Sequence, residues 1–335
     1  MRAATPSEPS AANGAPAPAP APEPAATPEW LSQGERSNLL ALKFMAWVAT
    51  TLGRGWARGV LHPITLYYLL FARSAARHSQ RYLGRVLGRA PTWAERYRHF
   101  HHFASVVLDR VYFVRGQMQR FDLQVLGGPL VDETLADGQG AFMLGAHFGS
   151  FEAMHAIGAT RPGMRVAHVM YPENARMIHS VLQALAPGFA MSVIGIGRPG
   201  STLQIRDWLD GGGLVGLLGD RWLPEQAQPG SSQRGGFIDL PFFGHTARFT
   251  DGPLRLALLL RRRVLFMAGV YQGGNRYALN FEELVDFRQA PRDPAAREVL
   301  LRQAMLTYVT RLETHCQAAP HNWFNFYDFW HEDVH

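Results

Sequence analysis

The stretch Gly145-Ala146-His147-Phe148-Gly149-Ser150-Phe151-Glu152 joins an apolar run, Ala141 to Ala146, to a helix-like one, Phe151 to Ile157. A short apolar run, then Gly and Ser, then helical periodicity reads as strand, turn and helix. Gly149 relaxes the backbone of the turn and Ser150 is a favourable N-cap. His147 and Glu152 stand five apart. On one regular helix such positions point about 140° apart, at 3.6 residues per turn. The two side chains therefore meet only if His147 ends the strand or lies in the turn. Histidine is the usual general base at neutral pH, and a carboxylate fixes its tautomer and supports the imidazolium. His147 and Glu152 are thus the candidate catalytic dyad, with a polar pair closing a strand–helix turn as the structural alternative. A second His-x4-acid pair, His168 and Glu173, straddles Tyr171-Pro172, which reads as a strand end and a turn.

Working outward, apolar strand candidates and helical runs alternate. Phe121 to Leu126, Ala141 to Ala146, Arg165 to Met170, Met191 to Ile196, Leu214 to Leu218 and Val264 to Tyr271 read as strands. Asp132 to Asp137, Phe151 to Ile157, Asn174 to Leu185, Leu203 to Leu209 and Pro253 to Leu260 read as helices between them. The expectation is an α/β fold, a central mixed sheet flanked by helices, with a site at strand carboxyl ends. His147 falls at such an end, and so does Asp220-Arg221 after Leu214 to Gly219. Upstream, Thr92 to Phe113 has helical spacing and carries His99, His101 and His102, which read as surface histidines.

The 335 residues suffice for one large core, or a core plus a helical region. Net charge is +6, which favours acidic partners: phosphate groups, anionic lipid or an acidic carrier protein. No nucleic-acid partner is expected. Lys43 is the only lysine among 33 basic residues, a skew that suggests a GC-rich genome. Cys316 is the only cysteine, which excludes an internal disulfide and a cysteine zinc site. Residues 1–29 form an Ala/Pro-rich segment without apolar periodicity, read as a disordered tail rather than a secretory signal.

Residues 30–98 read as a membrane-associating helical region ahead of an α/β domain at 99–335. The run Gly59 to Ala72 would span about 21 Å as a helix, short of the roughly 30 Å hydrocarbon core. Arg54 and Arg58 separate it from the run Leu39 to Leu52, and His62-Pro63 would kink it. An interfacial, tilted or re-entrant helix fits this better than a clean span, and a buried globular helix is the alternative. Arg73, Arg77, Arg81, Arg85 and Arg89 then repeat every four residues, a basic stripe that an anionic bilayer surface attracts.

Gly195-Ile196-Gly197-Arg198-Pro199-Gly200 is a literal G-x-G-x-x-G after a strand candidate, with Asp220 twenty residues further on. It would serve a dinucleotide-binding oxidoreductase, Asp220 meeting the ribose. Against it stand Pro199 in the loop and a mid-chain position. No G-x-S-x-G elbow, P-loop or H-E-x-x-H motif is present. Without a side-chain nucleophile, a His/carboxylate pair most simply activates an external hydroxyl or amine. In a basic, membrane-seeking chain, that suggests a lipid attacking a fatty acyl thioester; a non-catalytic membrane-binding protein is the reading from another class.

His147-Phe148-Gly149-Ser150-Phe151-Glu152 looks like the H-x4-[DE] signature of membrane acyltransferases, in its glutamate form. Gly219-Asp220-Arg221 resembles the second short motif of the lipid A late-acyltransferase family, the lauroyl/myristoyl transferases. Pro241-Phe242-Phe243-Gly244-His245-Thr246-Ala247, with Thr250-Asp251-Gly252-Pro253, is similar to the third block of that family. The resemblance covers about residues 36 to 330. It implies a glycerolipid-acyltransferase-like fold at the cytoplasmic face of a bacterial inner membrane. It also implies an acyl carrier protein or coenzyme A donor, a lipid acceptor, and neither metal nor cofactor. The aromatic-rich tetrapeptide after His147 and the ending Asn322-Trp323-Phe324-Asn325-Phe326-Tyr327-Asp328-Phe329-Trp330 differ from the usual pattern, which widens the acceptor to related glycolipids. That aromatic ending is read as a bilayer-interface element, an acyl groove or core capping. In the implied roles His147 is the base and Glu152 orients it. Backbone N–H groups at Gly149 and Ser150, and Arg221, face the oxyanion, and Asp220 orients Arg221 or binds acceptor hydroxyls. The loop Trp222 to Arg234 is expected to cover the site.

Overall fold

The computed structural model describes residues 47–160, 163–171, 192–197, 199–221 and 236–331. The tail, the expected helix Asn174 to Leu185, Glu173 and the loop after Trp222 lie outside the described residues. After a helical stretch at residues 47–51 come α1 (Arg54–Phe71), α2 (Arg73–Leu87) and α3 (Trp93–Val114). Strand β1 (Asp122–Leu126), α4 (Gly128–Ala136), β2 (Ala141–Gly145), α5 (Phe151–Thr160), β3 (Val166–Met170) and β4 (Ser192–Gly195) follow. Next come α6 (Ser201–Asp210), β5 (Leu214–Leu218), the hairpin β6 (Phe237–Phe242) and β7 (His245–Thr250), and α7 (Gly252–Leu259). The long strands β8 (Arg263–Gly273) and β9 (Arg276–Asp286) and the helix α8 (Pro294–Ala318) complete the order.

Seven strands form one mixed sheet in the order β1-β9-β8-β2-β5-β3-β4. The sheet is parallel from β8 through β4, and β9 turns back antiparallel to β8. Helices cover both faces, so the central strands are apolar on both sides and alternate between two cores. Phe142, Leu144, Val215, Leu217, Val264 and Phe266 face the core shared with α7, α8 and the β6–β7 hairpin. Ala141, Met143, Leu214, Leu265 and Met267 face the core shared with α1, α3 and α4.

The strands expected around β1 to β5 and β8 form, with ends shifted by a residue or two. The sequence reading missed β9 and the β6–β7 hairpin. That hairpin turns on Phe243 and Gly244, both at positive φ (51° and 74°). Such a turn usually announces itself as Asn-Gly or Asp-Gly, and Phe-Gly carries no such signal.

The N-terminal region departs from its expected layout. The helical stretch at 47–51 ends at Leu52–Gly53, and Arg54 and Arg58 lie within the first turns of α1, which runs on through Pro63. Arg54 makes a two-pronged bond to Asp109 on α3, at 2.8 Å for each prong. Asp109 is fully buried and also accepts from the Tyr277 hydroxyl of β9 at 2.8 Å. Arg54 and Arg58 both donate to the Gly274 carbonyl in the β8–β9 turn. The basic stripe is divided as well. Arg81 lies 3.8 Å from Asp328, Arg85 stacks 3.9 Å over the Trp330 ring, and Arg89 pairs with Glu95 at 2.6 Å. Arg73 and Arg77 lie on the exposed side of α2 ahead of them. Among the described residues no helix is long and apolar enough to cross a membrane.

Removing one member of a buried ion pair strands the other charge, at a cost of roughly 3–5 kcal/mol. Arg54→Ala is therefore expected to lower the urea unfolding free energy by about that amount. The double replacement Arg54→Met/Asp109→Leu should recover most of the loss. Equal stability of Arg54→Ala and wild type would show that the pair does not hold α1 to the sheet.

Candidate functional site

Strand register builds the site. In the parallel pair β2–β5, Gly145 lies opposite Leu218. His147 and Asp220 each follow two residues later, so both leave the sheet at the same edge, side by side. The Gly145 carbonyl accepts from the Gly219 N–H at 3.0 Å and from the Tyr308 hydroxyl of α8 at 2.9 Å, which locks the two strand ends together.

His147 Nδ1 donates to Asp220 Oδ1 at 2.8 Å, and the His147 backbone N–H donates to Oδ2 at 3.0 Å. The Trp323 indole N–H also donates to Oδ2, at 3.0 Å. Asp220 is 2% exposed. Burial by itself raises its pKa, but His147, Arg221 and the Trp323 N–H together outweigh burial and hold it at about 2. The carboxylate stays ionised, so Nδ1 carries the imidazole proton and Nε2 keeps its lone pair. The His147 pKa is lowered, first by burial and then by the nearby charges of Arg221 and Arg110, against the pull of Asp220. Its side chain is still 31% exposed, so the neutral ring can be approached from outside.

The carboxylate on His147 is thus Asp220, whereas Glu152 was expected there. Glu152 lies in the first turn of α5 and pairs with Arg110 of α3 at 2.6 Å. The reason is topological. β5 runs beside β2, which brings Asp220 to Nδ1, while the turn at Gly149 carries Glu152 towards α3.

The turn itself forms as expected. Gly149 has φ +63°, and the Ser150 hydroxyl caps α5 by accepting the Ala153 N–H at 3.1 Å. A Cβ on Gly149 would run into the Gly269 carbonyl, and one on Gly269 into the Ser150 carbonyl, so the two backbones cross where only glycines fit. This closeness removes the expected oxyanion donors. The Gly149 N–H donates to the Asn322 carbonyl at 2.8 Å, and the Ser150 N–H to the Gly269 carbonyl at 2.7 Å. Arg221 is the remaining candidate donor of that set. Its guanidinium lies 5.4 Å from the Tyr327 ring centre, and its buried Nε has no hydrogen-bond partner among the described residues.

The segment Asn322 to Tyr327 forms the wall of the site. Asn322 clasps the Tyr271 backbone of β8, accepting at 2.8 Å and donating at 3.1 Å. The Phe324 N–H donates to the His147 carbonyl at 2.9 Å. Trp323 is fully buried, and its own carbonyl accepts from His99 Nε2 at 2.9 Å. His99 Nδ1 lies 2.8 Å from the Ser79 hydroxyl of α2, and burial pushes the His99 pKa down to about 3. His99 is therefore a neutral interior link, not the surface residue its neighbours in sequence imply. Trp323, His99 and Arg110 were not read as site residues. The density of aromatics around Trp323 was visible, and core capping was the correct alternative for it, but its bond to Asp220 was not.

The dinucleotide fingerprint is not assembled. β4 is the edge strand and is separated from β5 by β3, so Asp220 does not stand beside the Gly195–Gly200 turn. Both Asp220 oxygens are also engaged. Among the described residues no group of histidine, cysteine and carboxylate side chains could hold a metal ion. Neither any protein-family model nor any curated protein matches the sequence.

Trp323→Phe removes one donor from Asp220 and leaves more of its negative charge to act on the imidazolium. The His147 pKa is expected to rise, as read by NMR titration of the ring. An unmoved midpoint in a folded variant would show that the indole N–H does not tune the base.

Proposed function

We propose that the chain is an acyltransferase. It moves a fatty acyl group from a thioester of acyl carrier protein or coenzyme A to a lipid hydroxyl or amine. A lipid A precursor or related glycolipid at the cytoplasmic face of a bacterial inner membrane is the acceptor that the motif resemblance supports. One observation carries the reading: a neutral, reachable His147, its Nδ1 held by an ionised Asp220, stands beside Arg221 at the carboxyl edge of the sheet. Among the described residues no serine or cysteine bonds to that ring. The base therefore acts on an external nucleophile.

In the proposed reaction Nε2 takes the proton of the acceptor hydroxyl as its oxygen bonds to the thioester carbonyl carbon. Asp220 stabilises the imidazolium that forms. The Arg221 guanidinium faces the tetrahedral oxyanion, which replaces the backbone donors of the turn in that role. The C–S bond then breaks, and the imidazolium returns its proton to the departing sulfur. The products are the acylated lipid and the free thiol. An acidic carrier protein would be drawn to this basic chain chiefly through its association rate.

The test is acyl transfer from radiolabelled acyl carrier protein or acyl coenzyme A to lipids of a bacterial membrane extract. His147→Ala and Asp220→Asn are each expected to lose roughly 10²–10⁴-fold in rate. Glu152→Gln, which disturbs only the pair with Arg110, should lose less than about tenfold. Equal damage from Glu152→Gln and Asp220→Asn would return Glu152 to the dyad. No labelled lipid from folded wild type with either donor would favour the non-catalytic membrane-binding protein. The pH profile follows from the sign of the His147 shift. The base must be neutral and its pKa lies below the ordinary 6.5, so the rate should fall only as pH drops below that value. A half-maximal point above 6.5 would contradict the assignment.

A further inference from the structure

From Arg36 to Ala94 the sequence carries nine arginines or lysines and no aspartate or glutamate. The outward face of α1 lies within this acid-free run. Ala57, Leu61, Thr65 and Leu69 are the buried side of the helix, spaced by four. The opposite side presents Trp56, Leu66, Tyr67, Leu70 and Phe71, with Trp56 72% and Phe71 67% exposed. Trp47, just ahead of the helix, is 56% exposed. A soluble surface helix turns charge outward, whereas this one is apolar on both sides.

We infer that the outward face of α1 is a lipid-docking surface, which lies in the plane of a bilayer with its apolar side chains among the acyl chains. This deepens the membrane part of the reading above and rests on none of its chemistry. Three observations select lipid as the occupant. Trp47, Trp56, Tyr67 and Tyr68 put amphipathic rings at the two ends of the helix, where ring edges meet headgroups. The next basic residues, Arg73 and Arg77, are exposed at the end of that face, and no carboxylate on α1 or α2 repels an anionic surface. Finally, the helix lies across the protein and is fastened there. Its inward side is held through Arg54 and Arg58 to α3 and the β8–β9 turn, so it rests on a bilayer instead of crossing one.

The placement matters for the site. Leu69 packs with Phe100 and Phe326, and the next residue, Tyr327, carries Arg221. The docking face is thus separated from the His147 edge by a few side chains. The later part of the arginine stripe contributes little to docking in this arrangement, because Arg81, Arg85 and Arg89 engage Asp328, Trp330 and Glu95.

The test is co-sedimentation of the full chain with vesicles of phosphatidylcholine alone or mixed with phosphatidylglycerol, at low and high salt. Wild type is expected to bind both, more tightly to the anionic mixture. Leu66→Asp/Leu70→Asp should weaken binding to both by roughly tenfold or more. Arg73→Gln/Arg77→Gln should remove only the anionic increment. These side chains are exposed, so unchanged thermal melts are expected and would separate lost docking from lost folding. Wild type that ignores zwitterionic vesicles, or an apolar-face variant that binds like wild type, would overturn the inference. So would light scattering that shows a dimer dispersed by the same substitutions, since a second copy would then cover the face. No arm reads activity, so a failed acyl-transfer assay leaves this result intact.

Discussion

A buried carboxylate organises the centre of this molecule. Asp220 sits where water cannot help it, and an ionised group in such a place is tolerable only when every partner is present. Its partners come from distant parts of the chain: the ring and backbone of His147 at the end of β2, and the indole of Trp323 far downstream. Arg221 adds a positive charge from the next residue. Trp323 in turn leans on His99 of α3, which leans on Ser79 of α2. The helices before the sheet, two strands within it and the segment after α8 are thereby tied to one charge. Taking that charge away would unsettle groups in all three regions.

Much of the sheet was legible because buried parallel strands are short apolar runs, and such runs stand out between helical periods. The strand–turn–helix around His147 was legible down to the positive φ of Gly149 and the Ser150 cap. Strand order was not. Sequence spacing favours near neighbours, so Glu152, five residues away, looked the natural partner. Asp220 is 73 residues away and becomes adjacent only once β5 is known to lie next to β2. The same limit hid Trp323. An aromatic-rich stretch announces burial, but not which polar atom its one N–H will serve.

Charge patterns along a helix misled in a different way. Arginines spaced by four read as one basic stripe turned to an anionic bilayer surface, yet a helix packed on two sides turns part of any stripe inward. Arg85 covers the Trp330 ring, and Arg54 reaches a buried aspartate. Arginine suits these places, since its planar head stacks on rings and pairs two-pronged with carboxylates. The apolar face of α1 is the converse case. There the hydrophobic residues run round the helix, yet only the Ala57–Leu69 side meets the protein.

Trp323 has a bearing on how the molecule comes into being during synthesis. N-terminal segments leave the ribosome first and begin to fold there. The strands that carry His147 and Asp220 can pair as soon as β5 has emerged, but the donor that completes Asp220 lies a hundred residues further on. Until residues 322–327 arrive, the nascent sheet holds a half-satisfied carboxylate and an open flank beside β8. Maturation of the site is therefore timed by translation. The base acquires its final environment only after α8 has been made and the following segment has docked.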